Sequence, residues 1–230
     1  MNPLLSIKNL TVAVGAKEIV HNVSFDVPQG KIVAVAGASG SGKTTVGLSI
    51  LRLLPCALSI SQGSIVFEGR PLLELPVREM QRCRGARIGM VFQEPLSAFD
   101  PLFTVGAQCD EVLCAHTKLS KQERYKKVLD TFAEVGLSDP KQAYKSFPHQ
   151  LSGGMRQRAM VAQAMVCGPS LIIADEPTSS LDITLQIKIM ELFSRLRKKN
   201  ISILLISHDL EMISHLADEV VALGQPSGVF

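Results

Sequence analysis

Apolar residues fall along this chain in two rhythms. Ahead of Gly30 they come in short runs, Leu5-Ser6-Ile7, Leu10 to Val14 and Val23-Ser24-Phe25-Asp26-Val27, punctuated by Gly15 and by Pro28-Gln29-Gly30. Short alternating runs between turn residues predict an antiparallel sheet. Ile32 to Ala36 is then an unbroken apolar run, the mark of a strand buried on both faces, and it enters a glycine-rich loop followed by a helical pattern from Thr44 to Leu54. Ile65-Val66-Phe67 and Ile88 to Phe92 predict further strands. From Pro101 to Cys167 the spacing is helical, with starts at Ser120, where Glu123 completes a capping box, and at Ser152. Leu171-Ile172-Ile173-Ala174 and Ile201 to Ile206 return to buried strands, with a helix over Thr184 to Lys198 between them and a last strand over Glu219 to Leu223. The predicted class is α/β: a core on a parallel sheet, an N-terminal antiparallel β-subdomain and an inserted helical subdomain. The predicted organisation is a single domain over 1–230, with its core at about 1–93 and 168–230 and its helical part at about 94–167.

Composition narrows the classes. A chain of 230 residues, 46% hydrophobic, is long enough for a proper core. The longest apolar stretch, from Val46 to Phe67, is broken by Arg52, Pro55 and Gly63, so no membrane span is expected. The start carries no basic segment ahead of an apolar one, and no secretory signal is expected. A net charge of +3, with no basic run interleaved with aromatics, argues against nucleic acid as a partner. The 5 cysteines form no CxxC pair and are expected to be reduced thiols.

Gly37-Ala38-Ser39-Gly40-Ser41-Gly42-Lys43-Thr44 has the spacing GxxxxGK[ST] between a predicted strand and a predicted helix. Glycines there let backbone N–H groups approach a phosphate at a helix N-terminus, where the dipole already favours an anion. Lys43 is placed to reach the β- and γ-phosphates, and the Thr44 hydroxyl, followed by Thr45, to ligate Mg²⁺. The fold expected is therefore a P-loop nucleotide-hydrolysing core that binds ATP with Mg²⁺. Asp175 and Glu176 end the apolar strand from Leu171, at the strand end where α/β ligand sites lie. Asp175 reads as a metal ligand through water and Glu176 as the general base; a helix N-cap pair ahead of Pro177 is the alternative. Leu151-Ser152-Gly153-Gly154, ahead of the helical run Met155 to Val166, is a second anion cradle. A chain that already has one complete phosphate loop needs the second for another nucleotide or for a partner's.

These motifs, with Gln93, Leu151 to Gln157, Ala174-Asp175-Glu176-Pro177, Ser179-Ser180-Leu181-Asp182 and His208, resemble the nucleotide-binding domain of the ATP-binding cassette (ABC) family from about Leu5 to about Leu223. The resemblance implies a head-to-tail pair of such domains sandwiching two ATP molecules, the loop of one against Ser152, Gly153, Gly154 and Gln157 of the other. It implies that Gln93 senses the γ-phosphate near the metal and that His208 bonds the γ-phosphate and positions water. Asp182 would cross to the partner, a role compatible with the alternative reading of it as the N-cap ahead of Ile183. Two departures stand out. Val14 occupies the place where the family stacks an aromatic on adenine, and Ser180 replaces an alanine. The family also continues past Leu223 into a hairpin and helix, where this chain has Gly224 to Phe230.

Gly69 to Leu75, Arg84 to Pro95 and Ser97-Ala98-Phe99-Asp100-Pro101-Leu102 resemble the peptide/nickel importer branch, the last stretch its nickel and metallophore members. The resemblance implies an ATPase subunit on the cytoplasmic face of the cell membrane, peripheral, with a second ATP-binding subunit, integral permease subunits and, indirectly, an extracytoplasmic solute-binding protein as partners. Leu96, Phe99, Leu102 and Phe103 are expected to form a groove for a permease helix; packing of the helical insert is the alternative. Two other readings compete: a non-transport ABC ATPase, and a regulatory subunit that binds ATP with little turnover. Glu176 and His208 argue against the second.

Overall fold

The computed structural model describes residues 3–179 and 181–224; Ser180 and the tail 225–230, where two of the departures lie, fall outside the described residues. The chain divides into two compact units, Met1–Gln81 with Ser194–Phe230, and Arg82–Phe193.

The first unit holds two sheets. β1 (Leu5–Val14), β2 (Lys17–Val27), β4 (Ser59–Phe67) and β5 (Arg70–Pro71) form an antiparallel sheet in the order β2-β1-β4-β5. Here the expected boundaries need correction. The two runs before Gly15 are one strand, because the register shifts between Ile7 and Leu10 where Asn9 takes φ 52, a bulge that interrupts alternation without ending the strand. Ser24 Oγ accepts from the freed Asn9 N–H at 2.8 Å. β3 (Ile32–Ala36) lies between β8 (Ser202–Ser207) and β9 (Glu219–Ala222), all parallel. β3 and β8 are buried throughout, as their unbroken apolar runs require. α1 (Lys43–Leu51) and α9 (Leu210–Leu216) pack against this sheet. α1 stops short of Leu54: Arg52 turns left-handed at φ 53 and its N–H closes on the carbonyls of Leu48 and Ser49.

Asp218 ties the sheet's entrance together. Its carboxylate accepts from the Ile32 N–H at 2.9 Å and pairs with Lys31 at 3.1 Å and Arg197 at 3.4 Å. Burial works to raise its pKa, but these partners outweigh it and hold the carboxyl below its ordinary value. A depressed carboxyl stabilises above that ordinary value and loses the contribution as pH falls through the lower folded one. Asp218→Asn should therefore be less stable than the native chain in denaturant at neutral pH, with the gap closing below about pH 4.

The second unit contains a parallel pair, β6 (Ile88–Val91) and β7 (Leu171–Asp175), and helices α3 (Pro95–Ala98), α4 (Val105–His116), α5 (Lys121–Glu134), α6 (Pro140–Lys145) and α7 (Gly153–Met165) between them in sequence. α2 (Val77–Cys83) and α8 (Ile183–Lys198) span the divisions. The capping box at Ser120 is present: Glu123 accepts the Ser120 N–H at 2.7 Å, and Ser120 accepts the Glu123 N–H at 3.4 Å. Arg124 then grips Asp110 with two nitrogens, at 2.8 and 3.2 Å, joining α5 to α4. Among the described residues, no helix is long and apolar enough to cross a membrane.

Candidate nucleotide site

The candidate residues fall into two groups, one in each unit. In the first, β3 delivers the chain into residues 37–42 and α1 begins at Lys43. Gly42 caps the helix at φ 88, and a Cβ there would lie 2.7 Å from Val20 Cγ2 and 2.9 Å from the Ile19 carbonyl oxygen, so only glycine fits. Ala38, Ser39, Gly40 and Thr44 are exposed, Thr45 partly so, and no acidic residue occupies the first turn of α1. Lys43 is 6% exposed, and its ammonium donates to the carbonyls of Gly37 and Ala38, both at 2.8 Å. A cation is thus held inside the loop by the loop's own carbonyls. Ser41 Oγ is buried without a hydrogen-bond partner, the one such side-chain atom among the described residues. An orphan hydroxyl in a glycine cradle at a helix start fits a phosphate loop. Val14, at the end of β1, is 41% exposed and offers an aliphatic face where an aromatic was sought. His208 is exposed on a short turn between β8 and α9, which Asp209 stiffens by accepting from Glu211 and Met212 N–H, each at 3.0 Å.

In the second unit Asp175 is the last residue of β7, 3% exposed, and Glu176 follows at 8%. No helix starts at Pro177, which removes the N-cap alternative. Glu176 instead takes φ 44, a left-handed conformation unusual for a non-glycine and costing of order 1–3 kcal/mol. Strain of that size at a buried acid is a common companion of function. Gln93 is exposed, two residues beyond β6. Asp182 caps α8, accepting the Leu185 N–H at 2.9 Å, as the sequence reading allowed. Thr44 hydroxyl and Asp175 carboxylate are hard oxygen donors, the chemistry Mg²⁺ takes.

The second cradle is sharply defined. Ser152 caps α7, accepting the Met155 N–H at 3.3 Å, so the helix starts earlier than Met155. Gly154 is crowded by its own chain: a Cβ would fall 2.6 Å from Leu185 Cδ1, the movable end of a side chain. Gly153 is not, since a Cβ there would meet nothing within 4 Å. Gln157 requires a correction. Expected to contact nucleotide, it is 1% exposed and donates to the Pro177 carbonyl at 2.6 Å, so it braces the turn after Glu176 and presents nothing to a ligand. Sequence reading also missed Gln186, which donates to the Thr178 carbonyl at 3.3 Å. Its place four residues after a helix cap carried no sign of that reach.

Phe99, expected in the groove, is 3% exposed and belongs to the core. Leu96, Leu102 and Phe103 are exposed at 50%, 78% and 56%. The loop that carries Leu102 and Phe103 is held by Gln108, whose amide accepts the Asp100 N–H at 2.9 Å and donates to the carbonyls of Asp100 at 2.9 Å and Phe103 at 3.1 Å.

A strand–loop–helix phosphate cradle, a strand ending in two buried acids and a separate glycine-led helix start define a P-loop ATPase of the cassette type. The ABC transporter family matches residues 20–179, and the chain belongs to that family as its ATP-hydrolysing component. The dipeptide transport ATP-binding protein DppD of Bacillus subtilis is 43% identical over 97% of this chain and 68% of its own length. The oligopeptide transport ATP-binding protein OppD of the same organism is 40% identical over 96% of this chain, which spans 63% of that relative. Among solved structures, the dimeric post-hydrolysis state of the ATP-binding cassette MJ0796 bound to ADP and Pi matches with a TM-score of 0.85 at 27% identity, covering 96% of this chain and 94% of that one.

Proposed function

We propose that this chain is the ATP-hydrolysing subunit of a peptide importer, one ATP-binding cassette with residues 94–167 as its helical part, peripheral on the cytoplasmic face of the membrane. The observation that carries the shared-site reading is Gly153: a helix start left open by its own chain, on a protein that already has one phosphate loop. ATP lies on the loop from Gly37 to Thr45, with Lys43 on its outer phosphates. Thr44, Asp175 and Gln93 are the groups that would hold Mg²⁺, which when bound neutralises charge on the phosphates. Glu176 takes the proton of the attacking water, and His208 orients that water against the γ-phosphate. Ser152, Gly153 and Gly154 close on the nucleotide of a second ATP-binding subunit, and Asp182 reaches across beside them. ATP binding favours the closed pair and hydrolysis the open one, which moves the attached permeases.

Peptide, rather than nickel, is supported by the dipeptide and oligopeptide relatives; nickel rests on the stretch Ser97 to Leu102 alone. Permeases dock at Leu96, Leu102 and Phe103, exposed apolar residues, the last two on a loop that buried Gln108 fixes. Uptake of labelled dipeptide and of labelled nickel by cells carrying the whole transporter separates the solutes: peptide uptake that stops in a Lys43→Ala strain is expected, and nickel uptake alone would overturn the peptide assignment. Leu102→Asp with Phe103→Asp should abolish co-purification of the permeases while intrinsic ATP turnover stays within about twofold, as for surface changes away from the core.

A further inference from the structure

Glu176 sits in a backbone conformation that relaxes unless its surroundings hold it. Within the turn, Ser179 N–H and Oγ donate to the Glu176 carbonyl at 3.3 and 3.2 Å, and the Leu181 N–H to the Thr178 carbonyl at 3.1 Å. Proline at 177 contributes no N–H, so its carbonyl is the handle its backbone offers. Two glutamine amides take hold of successive carbonyls there. Gln157 of α7 reaches Pro177 at 2.6 Å and Gln186 of α8 reaches Thr178 at 3.3 Å. Gln157 is 1% exposed, so this bond is shielded from water and stronger for it. The two helices are themselves in contact, since Gly154 of α7 lies against Leu185, next to Gln186.

We propose that Gln157 is a positioning residue for hydrolysis: its amide transmits the placement of α7, whose first turn is the second anion cradle, to the backbone that holds Glu176. Closure of that first turn on one nucleotide then sets the carboxylate that acts on the other, and one buried hydrogen bond links the two sites through a single chain. This rests on the roles given above to Ser152–Gly154 and Glu176.

The test uses the full chain in its transporter complex and compares Gln157→Met, Gln186→Met, their combination and Glu176→Gln with the native protein. Methionine keeps the length and volume of Gln157 and removes the donor. Gln157→Met should lower kcat by about 10- to 10²-fold, the scale of a small misplacement of a reacting group. ATP affinity should stay native, and the Hill coefficient for ATP should fall toward one. Gln186→Met should give a smaller loss in the same direction, less than additive in the double variant. Native kcat and cooperativity in Gln157→Met, or a parallel loss of kcat, ATP binding and thermal midpoint, would overturn the coupling. If Gln157→Met does not fold, native kcat in Gln186→Met overturns it. A fully active Glu176→Gln protein would instead remove the role of Glu176 itself, and the two failures are told apart by which variant turns over.

Discussion

Glu176→Gln should lower ATP turnover by about 10²–10⁴-fold, the contribution of a positioned general base, while ATP binding persists. Glutamine matches the shape of the glutamate and can still orient a water, but its amide cannot take the proton. The backbone at φ 44 is equally uncomfortable for either residue, so the exchange leaves the strain in place and the thermal midpoint should not move. Lys43→Ala makes a useful contrast. It removes the cation that the carbonyls of Gly37 and Ala38 hold in the loop, and should weaken ATP binding itself. Turnover measured alongside binding of a fluorescent ATP analogue separates the two: Glu176→Gln binds without turning over, Lys43→Ala does neither. Turnover of the Glu176→Gln protein at the native rate would take the base away from this residue.

What the sequence makes legible here, and what it hides, divides along physical lines. β3, β7 and β8 are readable because strands covered on both faces must be continuously apolar, and runs this short fit strands rather than helices. The phosphate loop and the cap at Ser152 were readable because their chemistry is local, spanning a few consecutive residues. β1 was misjudged as two runs because a bulge at Asn9 breaks the alternation that marks a strand, while cross-strand hydrogen bonds keep it whole. α1 was overextended to Leu54, since its apolar spacing continues past the point where Arg52 turns the chain left-handed. Phe99 and Gln157 were misplaced for the same reason: their burial depends on partners distant in sequence, and no spacing rule records it. Gln186 was invisible for that reason too. The candidate ligand-binding residues belong to short patterns, while the contacts of Gln157 and Gln186 are found only in the folded chain.

Neighbouring glycines at the start of α7 should fail in opposite ways. Gly154→Ala places a methyl against Leu185, and because the nearest atoms are leucine methyls that can swing aside, the cost should be near the low end of overpacking, about 1 kcal/mol. At Gly153→Leu the new Cβ meets no atom of its own chain within 4 Å, and its φ needs no glycine, so the substitution carries no backbone or Cβ clash. Its thermal midpoint should hold. Its turnover should nonetheless fall by at least about 10²-fold, the loss that follows when preorganised N–H donors no longer reach the charge that develops in the transition state. Such a pattern has one physical source: whatever requires glycine at 153 lies outside the chain, in the space that a partner's triphosphate is proposed to fill. The ATP-dependent pairing of two subunits should be lost with it, and size-exclusion chromatography of Gly153→Leu in a Glu176→Gln background, where ATP is bound and not consumed, reads that directly. A Gly153→Leu protein that still pairs with ATP and hydrolyses it at the native rate would leave the open helix start without a purpose and the shared site without support.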